Sequence, residues 1–116
     1  MYDAVSAGDL EKFFSCLDKD IVIVEPSFLP YGGRYEGLTT FQALLPKLGQ
    51  YLDVSSVKLE SVVADGDIVV GFVRLKATKD GSDVRIAERT VVRNGKITEI
   101  KVFFFELGAV ASEIKR

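Results

Sequence analysis

The sequence predicts an α+β fold in which helices pack on one face of a curved, mainly antiparallel sheet. Three observations lead there. Apolar residues recur at helical spacing in the first part of the chain. After Asp53 the hydrophobic period falls from 3.6 to 2 and stays there for half the chain. The alternating stretches are separated by short turns rich in Gly, Asp and Asn. Helices followed by hairpin-connected strands give segregated layers rather than a parallel sheet wrapped by helices.

Asp9 caps a first helix that carries Leu10, Phe13, Phe14 and Leu17 at helical spacing and runs to about Asp18. Met1 leads almost directly into this pattern, as a shortened or trimmed first helix would. Ile21-Val22-Ile23-Val24 is a short β-branched strand, apolar on both faces and stopped by Pro26. From Pro26 to Gly37 two prolines and three glycines mark a shaped loop, with a short strand at Arg34 and Tyr35. A second helix spans Thr39 to about Leu52; Phe41, Leu44, Leu45 and Leu48 form its apolar face and Pro46 marks a kink or break. Val57 to Val63 then alternates, Ala64 to Asp67 is a hairpin turn, and Ile68 to Thr78 returns. Lys79 to Ser82 turns again, Asp83 to Arg93 is a strand, Asn94-Gly95 is a tight turn, and Lys96 to Glu106 completes a four-stranded meander.

A chain of 116 residues makes one domain, residues 1–116, and 47% hydrophobic residues suffice for a core. Fifteen basic against seventeen acidic residues leave a net charge of −2, which favours neither nucleic acid nor an anionic membrane. No apolar run approaches the roughly 20 residues of a membrane span, so the sequence predicts a soluble protein. The lone Cys16 has no intramolecular disulfide partner; it reads as a small buried hydrophobe in a cytoplasmic protein. Zero histidines remove a Ser-His-Asp triad, a Cys-His pair and His-ligated zinc or haem. The remaining carboxylates are dispersed in turns and no nucleotide-binding glycine motif is present, so neither a metal nor an organic cofactor is expected. Tyr31-Gly32-Gly33, Asp65-Gly66-Asp67 and Asp80-Gly81-Ser82 read as turns. Phe103-Phe104-Phe105 divides between core on one side and interface on the other.

Candidate chemistry lies in two glutamates. Alternation puts Glu88 on one face with Val84, Ile86, Thr90 and Val92, and Arg85, Arg89 and Arg93 on the other. A carboxyl on that apolar face is paired with a cation, beside a solvent-filled pocket, or protonated. Glu25 ends an otherwise apolar strand on the face of Ile21 and Ile23, so the two carboxyls can share a cavity. The plainer alternative is that Glu25 hydrogen-bonds the following loop while Glu88 pairs with Arg34 or Arg74.

The strings AVSAGDLEKFF, IVIVEPSFLPYGGRYEG, VVADGDIVV and VVRNGKITEIKVFFFE, in this order, resemble the SnoaL-like and ketosteroid-isomerase-like branch of the nuclear transport factor two-like superfamily. The resemblance covers nearly the whole chain. It implies a cone-shaped sheet closed by N-terminal helices over a mostly apolar pocket for a small apolar molecule. It implies Glu25 at the position of a general-base aspartate, and Glu88 at that of a protonated aspartate that hydrogen-bonds a developing enolate, with a raised pKa. The family's oxyanion tyrosine falls at about Met1, with Tyr2 one residue off, so Tyr31 or Tyr35 would have to reach the pocket from the loop. Phe13, Val84 and Ile86 are the expected lining. The activity so implied is cofactor-independent acid–base catalysis of isomerase, cyclase or dehydratase type; the alternative is a noncatalytic ligand-binding or dimerisation module. A homodimer is expected through the outer sheet face, from Val22, Val24, alternate residues of Ile68 to Val73, and Val102 with Phe104.

Overall fold

The computed structural model describes residues 9–114. Helix α1 (Leu10–Ser15) is capped by Asp9, whose Oδ1 accepts the Lys12 N–H at 3.0 Å. The helix stops short of Asp18. Leu17 fits helical spacing from Phe13, but it is claimed instead by strand β1 (Leu17–Glu25), where it pairs with Ile97. The Ile97 N–H donates to the Cys16 carbonyl at 2.9 Å, so Cys16 sits half-buried at the end of the helix rather than inside it. A long-range strand pairing has overridden a local period.

From β1 the chain turns back into β2 (Gly33–Glu36), crosses in helix α2 (Leu38–Gly49), and enters β3 (Leu52–Asp65), β4 (Ile68–Ala77), β5 (Asp83–Arg93) and β6 (Lys96–Glu106). A 3-10 turn, Gly108–Glu113, follows. The strands form one open six-stranded sheet in the order β2-β1-β6-β5-β4-β3. The expected meander is its larger part, and β1 extends it by pairing parallel to β6. None of the helices among the described residues is long and apolar enough to cross a membrane.

α2 ends at Gly49 rather than Leu52, and Pro46 lies within it without ending it, in the last turns where few helical bonds remain to lose. β3 begins at Leu52, earlier than the alternation from Val57 announces. Between Asp53 and Lys58 its register with β4 shifts. There the Asp53 carboxylate accepts the Ser55 N–H at 3.1 Å, and the Ser56 hydroxyl takes the place of a strand carbonyl by accepting the Lys76 N–H at 2.8 Å. Side chains that satisfy backbone groups hide such a bulge from a period-2 reading. Further shifts fall between Leu59 and Ser61, Arg85 and Ile86, and Val91 and Val92. Bulges bend and twist strands, and their repetition curves this sheet.

The register sorts residues by face. Glu88 pairs with Gly71 on one side and Val102 on the other, so all three look to the concave face; Arg85 pairs with Arg74 and Glu106, which look out. Val102 and Phe104, expected on the outer face, therefore lie on the concave one, because Ile86 pairs with Phe104. Phe103 and Phe105 take the outer, exposed positions. The helices cover the concave side, with α1 against β1 and α2 against β1 and β3. Ile21, Ile23, Leu29, Tyr31, Val73 and Val84 are fully buried there.

The loop between β1 and β2 is tightly built. The Leu29 N–H donates to the Pro26 carbonyl at 3.1 Å and the Gly32 N–H to the Leu29 carbonyl at 2.9 Å. A Cβ on Gly32 would stand 2.2 Å from the Pro26 oxygen, so only glycine fits. Gly32→Ala is expected to cost about 1–3 kcal/mol in urea unfolding, the range for overpacking. Gly49→Ala, at an open helix end, is expected to be neutral or stabilising. Equal midpoints for Gly32→Ala and wild type would show that the loop is slack.

Candidate functional site

Curvature of the sheet and the cover of α2 leave a cavity of about 110 Å³ on the concave side. Its wall is almost wholly apolar, with Phe13 from α1, Phe41, Leu45 and Leu48 from α2, and Ile86 and Phe104 from β5 and β6 among the lining residues. Two polar side chains enter it, Glu25 and Glu88. Glu25 is the last residue of β1 and Glu88 the middle of β5, with β6 between them. Strands lie about 4.8 Å apart, so the two Cα atoms stand about 10 Å apart and two glutamate side chains converge across Val102.

Glu25 is the deeper of the two, 7% exposed, whereas Glu88 is half-buried. Burial pushes the Glu25 carboxyl up from 4.5 to about 8, and the neighbouring Glu88 charge pushes it the same way. The sequence assigned the raised value to Glu88. The same burial favours the protonated form of Glu25 at neutral pH.

Neither arginine proposed as a partner faces these groups. Arg34 is exposed and bonds Glu36 at 2.8 Å. Arg74 lies in register with Arg85 on the opposite face of the sheet from Glu88. The outer cations are engaged on the outer side, Arg89 with Glu99 at 3.3 Å, Lys76 with Asp83 at 2.7 Å, and Arg85 with both Glu60 and Glu106. Among the described residues lining the cavity there is no cation.

The model of the SnoaL-like domain matches residues 1–100. The chain belongs to the SnoaL-like domain family. Solved structures show the same fold at low identity. An NTF2-like protein of unknown function from Burkholderia pseudomallei superposes with TM-score 0.78 at 19% identity, covering 99% of this chain and 92% of the other. TerC, co-crystallised with polyporic acid, gives 0.76 at 23% identity over 96% and 88% of the two chains. A putative polyketide cyclase from Sinorhizobium meliloti gives 0.71 at 17% identity over 88% of each. No curated protein matches the sequence significantly.

Within this SnoaL-like domain the other expected site residues divide. Phe13 and Ile86 line the cavity. Val84 is fully buried and is not among the lining residues; the 3-10 turn closes over it, where Gly108 packs against its side chain. Tyr31 and Tyr35 are likewise outside the lining. Tyr35 is half-buried and its hydroxyl donates to the Tyr31 carbonyl at 2.7 Å. Tyr31 is fully buried, its ring 5.5 Å from that of Tyr51. Met1 and Tyr2 lie outside the described residues. Leu45, Leu48, Val54, Val57 and Phe104 line the cavity without having been singled out. The first two belong to the expected apolar face of α2, but a hydrophobic stripe does not say which of its members meet protein and which meet a void.

Between about pH 4.5 and about 8 the folded state keeps the Glu25 proton that the unfolded chain has released. Folding stability is therefore expected to fall as pH rises through that window, at up to about 1.4 kcal/mol per unit, and to level off above it. Asp80 and Asp83, held low by Ser82 and Lys76, act only at lower pH, where their contribution is lost on acidification. Chemical unfolding of wild type and Glu25→Gln across pH 5–9 checks this. A fall of equal slope in the variant would assign it to another group.

Proposed function

We propose that this chain is a cofactor-independent acid–base enzyme of the isomerase, cyclase or dehydratase type, acting on a small, uncharged, largely apolar molecule. The observation that carries the reading is the pair of carboxyls sharing one apolar cavity, Glu25 the more deeply buried of the two. Glu25, protonated and desolvated, is the general acid. It donates to a substrate oxygen as charge develops there. Glu88, nearer to water, is the general base and takes a proton from an acidic C–H. This reverses the roles expected from family position alone, and it follows from the depth of Glu25. A positioned acid or base typically contributes about 100- to 10,000-fold, enough for such steps without a metal or an organic cofactor. TerC, crystallised with polyporic acid, and the putative polyketide cyclase lend the reading support by analogy of fold.

A second reading is a noncatalytic ligand-binding module. It is favoured by a lining in which, among the described residues, Glu25 and Glu88 are the polar side chains and the rest are apolar. Native mass spectrometry of the purified protein identifies the pocket's occupant, and turnover of that compound is then measured. Under the catalytic reading Glu88→Gln lowers kcat about 100-fold or more. Wild-type activity falls above about pH 8 as Glu25 loses its proton. Full turnover by both Glu88→Gln and Glu25→Gln removes the two glutamates from the chemistry, and no turnover of the bound compound by wild type leaves the binding module.

The outer face supports a homodimer in a cytoplasmic setting. Phe72, Ala87 and Phe103 are paired across β4, β5 and β6, with Val63 and Val70 beside them, and Phe72, Phe103 and Val63 are exposed. Contiguous exposed apolar surface of this kind marks an association site. Light scattering at micromolar concentration is expected to give twice the chain mass, and Phe72→Asp to give the monomer. A monomeric wild type would count against the dimer.

A further inference from the structure

The Tyr31 hydroxyl is unpaired in a place where that is costly. The side chain is fully buried, and its oxygen has no hydrogen-bond partner among the described residues. The surrounding loop holds it there on purpose-built contacts. Gly32 abuts the Pro26 carbonyl, Tyr35 bonds the Tyr31 carbonyl, and the Tyr51 ring packs against its ring. Glu25 pairs with Gly33, two residues beyond Tyr31, so one loop carries the phenol beneath the strand end that carries the carboxyl. Burial keeps the Tyr31 hydroxyl protonated, and the Glu25 carboxylate, when charged, acts in the same direction.

We propose that Tyr31 is the positioning residue for Glu25, its hydroxyl donating a hydrogen bond, directly or through one water, to the Glu25 carboxylate once that group has given up its proton. The catalytic meaning rests on the acid role proposed for Glu25; the pairing itself does not. While Glu25 is protonated it carries its own O–H and makes little demand on a second donor. When the proton passes to a substrate oxygen, a carboxylate remains in an apolar cavity. Tyr31 is the donor in reserve for that moment and keeps its own proton throughout. Among the described residues, the other groups near Glu25 are engaged or of the wrong charge. Glu88, from β5, is a second carboxyl that opposes the charge, and the Tyr35 hydroxyl is already bonded to the Tyr31 carbonyl. The Tyr51 ring packs tilted against that of Tyr31. Arg34 and Lys101 line a neighbouring groove to which Glu25 also contributes, but Arg34 is bonded to Glu36 and Lys101 is set over the Phe103 ring.

The test needs no substrate. In wild type, near-ultraviolet difference spectra are expected to show a tyrosine perturbation whose midpoint follows the Glu25 titration, and the perturbation is expected to vanish in Glu25→Gln. In Tyr31→Phe, carbon NMR of labelled glutamate side chains is expected to place the Glu25 midpoint about one unit or more above that of wild type, a tenfold weaker acid, because the carboxylate has lost its donor. A Glu25 midpoint unchanged in Tyr31→Phe overturns the proposal. If that variant fails to fold, a wild-type tyrosine spectrum indifferent to the Glu25 titration overturns it equally. Absence of turnover by wild type with the titration pair intact would instead count against the enzyme reading alone.

Discussion

Two carboxyl groups that face one apolar cavity each make the other's charge more costly, and much of the site follows from that constraint. A lone charge in such a place is costly, a pair of like charges more so. The common remedy is a cation, and this chain has fifteen basic residues to supply one. The sheet register sends its strand arginines the other way. Arg85 and Arg89 stand on the convex face and find Glu60, Glu106 and Glu99 there. The remedy inside is a retained proton, and it rests on Glu25, the more deeply buried of the two carboxyls.

Depth, in turn, is a product of sheet shape. A flat sheet would leave β1 and β5 with parallel, diverging side chains. Repeated register shifts along β3, β5 and β6 curl the sheet until residues on its concave side converge. Gly71, opposite Glu88 on β4, contributes no side chain to that crowded side. The loop after Glu25 completes the enclosure: it places Leu29 and Tyr31 at zero exposure against the core, which is why the strand ends in a buried acid rather than in solvent. On the convex side Val63, Phe72 and Phe103 stand exposed.

Much of this was legible in the sequence, for identifiable reasons. The change of period after Asp53, the Asn94-Gly95 turn and the alternation around Glu88 are local signals, and the meander and the inward Glu88 follow from them. What was not legible depends on pairing between distant residues. Leu17 satisfied two periods at once, and Ile97, eighty residues away in the chain, decided between them. Val102 and Phe104 changed faces because an alternating strand has two possible phases and only its register against β5 selects one. The order of the two glutamates was hidden for the same reason. Both sit on apolar faces in the sequence, but how far each lies from water is set by a loop fold and a helix position that no window of residues contains.

The same distribution of charge bears on what the cavity admits. An anionic ligand would add a third acidic group to a site that already holds two, with no arginine or lysine among the described lining residues to offset it. A neutral molecule meets no such penalty, and it gains from an apolar wall along most of its surface. Its one acceptor atom has a natural place at the Glu25 proton, and an acidic hydrogen has one at Glu88. Recognition and the proposed chemistry thus draw on one feature: the unequal burial of two carboxyls that line one apolar pocket.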